Sequence, residues 1–226
     1  GGGTREAADD GAVVARGDLR GGGGAAVERV GVEAVVRRTG RPKREDRGGG
    51  VLAEAGRAIK AAVDVPLRVQ CERARDQDWF HRLREAGADS LGMHLEAATQ
   101  AVREKIMPGK ATVSIDRYME AFASAVPIFG RGQVNTYILA GLGDSAEDIL
   151  ALAGRLIALG VYPFVVPFVP ISGPPLENHA PPSSDFMKSV LAPLGRMLRE
   201  ANMKSTDIRA GCGRCGACSS LSAYER

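Results

Sequence analysis

Cysteine is scarce in this chain, and where it occurs is more informative than how often. Only four cysteines occur in 226 residues, and three of them cluster near the C-terminus as Cys212, Cys215 and Cys218. So few cysteines exclude the disulfide framework of a small secreted protein. Aromatic residues make up only 5% of the chain. Long apolar runs are also missing, so no segment predicts a membrane-spanning helix.

A strong excess of one charge is absent as well. The net charge is +3, with 44% hydrophobic and 25% charged residues, as in an ordinary globular protein. This charge is too small to indicate binding to nucleic acid or to an anionic membrane. The N-terminal residues lack the charged-then-apolar pattern of a secretory signal, so we expect a cytoplasmic protein. We expect a small-molecule substrate, with neither a nucleic acid nor a membrane as partner.

Residues 1–50 differ from the rest in what they lack. They contain one leucine and no isoleucine, phenylalanine, tyrosine, tryptophan, methionine or cysteine, but 14 of the 29 glycines. A segment with so few large apolar side chains cannot offset the entropy cost of folding. We predict that residues 1–50 are disordered or are not the natural N-terminus. Residues 51–204 are then the folded domain, and residues 205–226 a cysteine-rich metal-binding tail.

From residue 51 onward, short apolar segments alternate with helical patterns. The predicted strands cover residues 67–70, 89–96, 133–142 and 162–171; the predicted helices cover residues 51–63, 76–86, 99–106, 115–129 and 184–201. One more helix is predicted from the capping-box pattern Ser145-x-x-Asp148 to Gly160. This alternation predicts an α/β fold, a partial TIM-type (βα) barrel of about four βα units. An open doubly wound sheet is the alternative, although no Gly-x-Gly-x-x-Gly follows the first strand.

Ligands of parallel α/β folds bind at the carboxyl ends of the strands, and the second predicted strand ends in polar residues. His94 and Glu96 lie two residues apart, so the period of a strand places them on one face. A carboxylate at Glu96 could accept hydrogen bonds from vicinal ribose hydroxyls. The alternative is a polar pair that is satisfied locally.

The third and fourth predicted strands offer two further candidate surfaces. Gln133, Asn135 and Tyr137 share one face of the third strand, which leads into the turn Gly141-Leu-Gly143. Glycines let a ligand approach the backbone, although an ordinary tight turn explains them equally well. The segment 166–177 could flank a flat ring or form only a rigid loop. The prolines of the fourth strand favour an edge strand or an irregular barrel strand.

The tail spacing Cys212-x-x-Cys215-x-x-Cys218 predicts a site for a soft metal. Thiolates at this spacing can converge on one ion, and they occur in zinc sites and iron–sulfur proteins. Three ligands leave a fourth position for another residue or for substrate. His179 is a candidate, although a loop histidine is more ordinarily exposed. The alternative is that the thiols are idle.

The strand ends resemble those of a radical S-adenosylmethionine (SAM) enzyme of the biotin synthase-like group, over about residues 51–226. His94-Leu-Glu96 resembles the Asn-Leu-Asp segment that contacts the ribose and amino-acid parts of SAM in biotin synthase. Residues 138–144 resemble the family's Gly-x-Ile-x-Gly-x-x-Glu stretch, with Asp144 in place of glutamate. The later strand, with Val169, resembles one whose backbone flanks adenine. The resemblance implies SAM contacts at His94, Glu96, Leu139, Gly141, Gly143 and Val169.

Other motifs resemble one bacterial radical SAM subfamily, whose genes lie beside a nitrilase in a conserved cluster. These motifs are Met107-Pro-Gly-Lys110 and the segments 129–133, 161–170 and 210–218. Together they are more specific than a single glycine-rich turn.

One departure limits what the resemblance implies. Radical SAM enzymes hold a [4Fe–4S] cluster in a Cys-x-x-x-Cys-x-x-Cys loop after the first barrel strand, and this sequence has no such loop. Cys71 stands alone, and the tail has a different spacing. We therefore expect the C-terminal part of a radical SAM enzyme, inactive as it stands. Its parent would use a [4Fe–4S] cluster, SAM and a reductant protein.

Two other functions stay open at this point. One is a non-catalytic zinc or iron–sulfur protein that uses the tail cysteines. The other is a barrel lyase or aldolase, for which Lys110 is the only lysine near a predicted strand-end loop. In each case an incomplete barrel leaves two open sheet edges, which predicts self-association.

Overall fold

A seven-stranded sheet forms the centre of the molecule. The computed structural model describes residues 12–14, 17–18, 35–38, 48–73 and 76–226. The strands are β1 (Ala12–Val14), β2 (Gly17–Asp18), β3 (Val35–Arg38), β4 (Leu67–Gln70), β5 (Ser90–Gly92), β6 (Val134–Ala140) and β7 (Tyr162–Pro167). Their order in the sheet is β2-β1-β3-β4-β5-β6-β7. Strands β3 to β7 are parallel, and β1 is antiparallel to both β2 and β3.

Helices connect the parallel strands, as expected for a partial (βα) barrel. They are α1 (Gly49–Ala62), α2 (Asp78–Glu85), α3 (Gln100–Ile106), α4 (Pro108–Ala111), α5 (Ile115–Phe129), α6 (Ala146–Leu159), α7 (Ser184–Glu200), α8 (Cys212–Cys215) and α9 (Leu221–Tyr224). The predicted α/β fold is therefore confirmed. Within residues 48–73 and 76–226, no helix combines the length and the hydropathy that a membrane span requires.

Local capping explains where several helices begin. The side chains of Thr99, Ser114 and Ser183 each accept a hydrogen bond from a backbone N–H in the first turn of α3, α5 and α7. Helix α6 begins with the predicted capping box, in which Ser145 and Asp148 satisfy each other's backbone N–H groups. These bonds satisfy N–H groups that a helix cannot pair internally. The starts of these four helices are thus encoded locally in the sequence.

Three predicted strands are too long. Regular pairing stops at Gly92 in β5 rather than at residue 96, at Ala140 in β6 rather than at residue 142, and at Pro167 in β7 rather than at residue 171. Strand β3 was not predicted, and it adds a fifth parallel strand beside β4. Of residues 1–50, which were predicted to be disordered, the structure describes β1, β2, β3 and residues 48–50. The others lie outside the described residues.

Strand β7 is an edge strand, as its prolines predict. It pairs only with β6 within the described sheet. Pro163 and Pro167 lie within it, and proline cannot donate to a neighbouring strand. The predicted self-association of an open sheet stays a prediction, and these prolines make the β7 edge a poor template for it.

The C-terminal segment packs across the face of the sheet that is turned away from helix α1. Leu67 contacts the α1 backbone region near Gly56, so strand alternation points Arg68 to the opposite side. There the Arg68 side chain packs against Gly211. Ser90 Oγ donates to the carbonyl oxygen of Ala210 at 2.9 Å. We call this side of β4 to β7, with the residues packed on it, the inner face.

Candidate functional site

A charged cluster lies at the carboxyl ends of β4 and β5. The ammonium of Lys110, in the short helix α4, lies 2.5 Å from Glu96 Oε1 and 3.5 Å from Glu72 Oε1. Tyr118 Oη donates to Glu72 Oε2 at 3.0 Å. Burial raises the pKa of Tyr118, and the carboxylate of Glu72 raises it further. We call Glu72, Glu96, Lys110 and Tyr118 the strand-end cluster. It brings two carboxylates and one cation together where barrel enzymes bind ligands.

A buried arginine holds Lys110 in place. Arg103 is fully buried and donates to the carbonyl oxygens of Val113 at 2.7 Å and Lys110 at 3.1 Å. Its guanidinium also lies 5.2 Å from the centre of the Tyr118 ring, within range of a cation–π interaction. Arg103 therefore fixes the backbone that carries Lys110 and the ring that bonds Glu72.

Glu96 has an unusual backbone. Its φ is 70°, in the left-handed region that non-glycine residues rarely adopt. Its N–H donates to the carbonyl oxygen of Tyr137 at 3.0 Å, and its own carbonyl accepts from Leu139 N at 2.8 Å. These bonds continue the sheet pairing past the end of β5. Strain of this kind is concentrated at functional sites in proteins.

His94 lies on the inner face and is buried. Its Nδ1 accepts a hydrogen bond from Tyr137 N at 3.1 Å, and its ring centre lies 4.4 Å from that of Tyr137. Nε2 is buried without a partner among the described residues. Burial lowers the pKa of His94 well below its usual range, and the charges of Arg68 and Lys110 lower it further. Because β5 ends at Gly92, the period-two argument that placed His94 and Glu96 on one face does not hold.

The glycine turn after β6 is tied to the loop after β5. Asp144 accepts from the N–H groups of Ala98 at 2.7 Å and Thr99 at 2.9 Å, and from Thr99 Oγ1 at 2.6 Å. Gly141 and Gly143 both have positive φ, at 101° and 124°. Asp144 therefore holds the two strand-end loops against each other. This is a structural role, which the tight-turn interpretation anticipated.

The remaining predicted contact residues lie along the same edge. Leu139 is half-buried in β6 and bonds Glu96 through its backbone N–H. Val169 lies two residues past β7 and is 66% exposed, and Ile171 is 67% exposed. His179 was a candidate fourth ligand for the tail, but its Nε2 pairs with the carbonyl oxygen of Gly141 in the glycine turn at 2.7 Å.

The tail cysteines are neighbours, but they do not form a finished metal site. Cys212 is half-buried, whereas Cys215 and Cys218 are exposed. In the described part of the chain, no three ligating side chains are gathered closely enough to hold a metal. Burial raises the pKa of Cys218, and charges on Cys212 and Cys215 raise it further. The three thiols are therefore close together in the chain without a fixed arrangement around an ion.

The residues present do not fit the catalytic cluster of a radical SAM enzyme. Cys71 is the cysteine that follows β4, and it is buried. Burial and the charge of Glu72 raise the pKa of its thiol to about 12. A cysteine binds a metal as its thiolate, and Cys71 has no cysteine neighbour at the required spacing in the sequence. No step through such a cluster is derived for this chain.

Gln133, Asn135 and Tyr137 share one face, as predicted, and it is the inner face. Gln133 precedes β6 at its amino end and bonds residues of the tail. Asn135 is buried on the inner face beside Gly92, its register partner. Arg68, which is buried on the same face, is a site residue that the strand-end motifs do not reveal. An arginine inside the apolar segment Leu67-Arg-Val-Gln was the available signal, because an arginine is almost never fully buried without a partner.

Part of the chain is similar in sequence to proteins of named function. It is 34% identical over 142 residues to a dual-specificity RNA methyltransferase RlmN from Solidesulfovibrio magneticus, a match that covers 60% of this chain and 39% of that protein. It is 30% identical over 110 residues to a bacteriochlorophyllide c C-7(1)-hydroxylase from Chlorobaculum limnaeum, covering 48% and 27%. These matches support the radical SAM superfamily. They do not address the narrower nitrilase-associated subfamily.

The fold itself also has a counterpart among solved structures. The crystal structure of methylornithine synthase (PylB) superimposes with a TM-score of 0.64 and 19% identity, covering 89% of this chain and 57% of that one. Identity this low supports the fold alone. No family model matches the chain. The matched region spans about two fifths of the RlmN relative and little more than a quarter of the hydroxylase.

Proposed function

We propose that residues 48–226 form the part of a radical SAM enzyme that binds SAM at the carboxyl ends of β5, β6 and β7. One observation carries the proposal. Glu96 lies beside β6 in a strained conformation, and the loop that contains it is bonded to the glycine turn through Asp144. Residues 94–96 and 138–144, which resemble SAM-contacting segments, therefore meet at one edge of the sheet. The sequence relatives of the chain support the radical SAM superfamily.

The chemistry of this edge suits the parts of SAM. Glu96 supplies a carboxylate that can accept from ribose hydroxyls, and it is paired with Lys110 in the absence of such a partner. The buried Nε2 of His94 is a donor without an acceptor, suited to a carboxylate of the amino-acid part. Exposed Val169 and Ile171 offer apolar surface beside the adenine. When bound to a [4Fe–4S] cluster, SAM supplies a carbon radical to substrate.

We propose that this chain binds SAM without cleaving it. The cluster-binding loop is missing from the sequence, and the buried, protonated thiol of Cys71 does not replace it. Cleavage of SAM would then need cluster-binding cysteines that are not in this chain.

The substrate class is the least constrained part of the proposal. We propose that the substrate is a small molecule. We also propose the narrower nitrilase-associated subfamily, because the Met107–Lys110 motif resembles that subfamily and its Lys110 takes part in the strand-end cluster. The RlmN relative is named as an RNA methyltransferase, so RNA is the alternative. A gel-shift experiment with structured RNA tests it, and binding at physiological salt would favour RNA.

SAM binding by the full chain tests the main proposal. Isothermal titration calorimetry should detect SAM binding to the wild-type chain. Glu96→Gln should weaken it about tenfold to a hundredfold, because a charge-assisted hydrogen bond to ribose is worth about 1.5–3 kcal/mol. Glu54→Gln, on the exposed side of α1, is the matched control and should bind as the wild type does.

Two results would contradict the proposal in different ways. Absence of SAM binding to the wild-type chain would refute the function. Binding that Glu96→Gln leaves unchanged would refute the site. Anaerobic reconstitution with iron and sulfide should give no 5′-deoxyadenosine, and turnover would refute the proposed inactivity.

A second candidate function is metal binding by the tail. Helix α8 is one turn long and places Cys212 and Cys215 three residues apart, on neighbouring positions of one helical surface. Gly216 then adopts a left-handed conformation that turns the chain before Cys218. We propose that these three thiolates bind zinc or an iron–sulfur cluster. Metal analysis of the wild-type chain and of Cys215→Ser tests this function independently of SAM.

A further inference from the structure

A buried arginine without a hydrogen-bond partner lies on the inner face. Arg68 is 1% exposed, in the middle of the sheet. Its Nε, Nη1 and Nη2 are all buried, and none has a hydrogen-bond partner among the described residues. A buried guanidinium without an acceptor is costly, because nothing compensates for its lost hydration. An arginine kept in such a position ordinarily has an anionic partner.

Two glycines fix where the guanidinium lies. A Cβ on Gly92 would clash with Arg68 Nη2 and would lie 3.0 Å from its Cζ. The guanidinium thus occupies the side-chain position of Gly92, on the neighbouring strand β5. Gly211 of the C-terminal segment covers it from the other side, because a Cβ there would lie 2.6 Å from Nη1. A side chain at either position would displace the guanidinium.

The amide of Asn135 is the next group along the same face. Gly92 and Asn135 are register partners in the neighbouring parallel strands β5 and β6, so their side-chain positions lie about 5 Å apart. Because Arg68 Nη2 occupies the position of Gly92, it lies beside the Asn135 side chain. Asn135 is 1% exposed, and its Nδ2 is likewise buried with no partner in the described part of the chain. Two buried donor groups, one of them charged, therefore lie side by side.

The carboxylates closest to this face in the fold are engaged with other groups. At the strand ends, Lys110 pairs with both Glu96 and Glu72. At the amino end of β7, the buried Glu225 accepts a hydrogen bond from Tyr162 Oη. None of them bonds the guanidinium, so we look for its anion in a ligand.

Aromatic rings surround the two donor groups on the side of the strand ends. Tyr137 follows Asn135 on the same face of β6, and its ring centre lies 5.3 Å from that of Phe164 and 4.4 Å from that of His94. His94 is therefore level with Tyr137, nearer the carboxyl ends of the strands than Asn135. A ligand held by Arg68 and Asn135 would lie beneath the place proposed for SAM, against aromatic surface.

We propose that Arg68 and Asn135 bind the carboxylate of a small-molecule substrate on the inner face. This inference deepens the proposed function, on which it rests for calling the ligand a substrate. The planar guanidinium can donate to both oxygens of a carboxylate, and the Asn135 amide adds a further donor. His94 Nε2 is left for SAM. Because Gly211 covers the guanidinium, the carboxylate enters when the C-terminal segment moves off this face, and it is then shielded from water.

Thermal unfolding of the full chain with acetate as the probe tests this site. Sodium acetate should raise the thermal midpoint of the wild type by about 3–6 °C at ten times its dissociation constant. Sodium chloride at equal ionic strength should not. Arg68→Met should abolish the acetate shift. Arg196→Met, which changes an exposed arginine of α7, is the matched control and should keep the shift.

Asn135→Asp is the second variant, and it decides the question if Arg68→Met does not fold. It keeps the shape of the side chain and places a carboxylate of the chain itself beside Arg68. The thermal midpoint without acetate should therefore rise, and the acetate shift should disappear. An acetate shift that persists in Asn135→Asp would overturn the inference.

Two results with the wild type would also overturn it. One is the absence of an acetate shift. The other is an equal shift with chloride, which would indicate an adventitious ion only. A shift that persists in Arg68→Met would place the acetate elsewhere and refute the assignment to Arg68.

SAM carries a carboxylate too, so calorimetry with SAM separates the two sources. Arg68→Met should bind SAM as the wild type does, and a loss of SAM affinity would assign the carboxylate to SAM instead of a substrate. If the wild type binds no SAM but acetate acts through Arg68, the proposed function fails and the carboxylate site stands. If SAM binds and acetate has no effect, only this inference fails.

Discussion

The side chain of Gln133 forms hydrogen bonds with the backbone on both sides of residue 208. Its Nε2 donates to the carbonyl oxygen of Asp207 at 2.9 Å, and its Oε1 accepts from Arg209 N at 2.9 Å. The sequence suggested that Gln133 lines a ligand surface. Instead, it attaches the C-terminal segment to the amino end of β6, and thereby places Gly211 and Cys212 over the inner face.

Replacing Gln133 tests how much this attachment contributes. Gln133→Leu keeps the volume and removes both hydrogen bonds, so we expect the free energy of unfolding to fall by about 1–3 kcal/mol. Urea denaturation measures it. Gln77→Leu is the control, because Gln77 is exposed and its side chain makes no capping bond. We expect it to stay within about 0.5 kcal/mol of the wild type. Equal effects of the two variants would show that the tail is held by other contacts.

The contact between Gly211 and Arg68 has a matched control in Gly173. Both glycines have nearly the same φ, 102° and 101°, but a Cβ on Gly173 has no heavy atom within 4 Å whereas one on Gly211 clashes with Arg68. We expect Gly211→Ala to cost about 1–3 kcal/mol more than Gly173→Ala, the usual cost of overpacking a core. Thermal unfolding of both variants measures the difference. Similar losses would mean that the tail moves freely off Arg68.

His94 should make the fold sensitive to mild acid. Its pKa is lowered in the folded state by burial, Arg68 and Lys110, so below about pH 6.5 the unfolded chain binds a proton that the folded chain does not. Stability should therefore fall as pH decreases from 6.5, by up to about 1.4 kcal/mol per unit. Urea denaturation at pH 7.5 and pH 5.5 measures the loss.

The His94→Asn variant should reduce that loss, since asparagine does not titrate and still accepts a hydrogen bond. His81→Asn is the control, because His81 is exposed on α2 and should leave the pH dependence as it is in the wild type. An unchanged acid sensitivity in His94→Asn would assign it to other groups.

Asp144 and Asp148 lie four residues apart and should differ in their effects. Asp144 is 5% exposed and accepts three hydrogen bonds from the loop after β5. We expect Asp144→Ala to lower the free energy of unfolding by about 3 kcal/mol, because it leaves buried donors unpaired. Asp148→Ala removes half of an exposed capping box and should cost about 1 kcal/mol. A larger loss in Asp148→Ala, measured by urea denaturation, would contradict the role of Asp144 in joining the two loops.

Much of the fold could be predicted because its signals are local. Helix α5 has the predicted bounds, its start is fixed by Ser114 and its end by Gly130. The capping box of α6 and the edge position of β7 follow in the same way from residues close together in the chain. The ends of β5 and β7 were predicted too late, because pairing in a sheet depends on the neighbouring strand as well as on apolar character.

The strand-end site could be predicted only in part. The motifs located Glu96 and the glycine turn, because glycines and carboxylates at strand ends are visible in the sequence. They did not show that Lys110 pairs with Glu96 and Glu72, which are 14 and 38 positions away and meet it only at the common edge of the sheet. The pairing depends on how α4 packs, and no local pattern encodes that.

The cysteine tail shows which features depend on local sequence and which depend on tertiary structure. The sequence by itself determined the alternation of strands and helices, the starts of the helices with side-chain caps and the spacing of three thiols, since each depends on residues a few positions apart. Only the tertiary structure decided that the tail lies across the inner face, with Gly211 packed against Arg68. These residues are 143 positions apart, and they meet because the parallel sheet and the Gln133 bonds bring the end of the chain back onto β4.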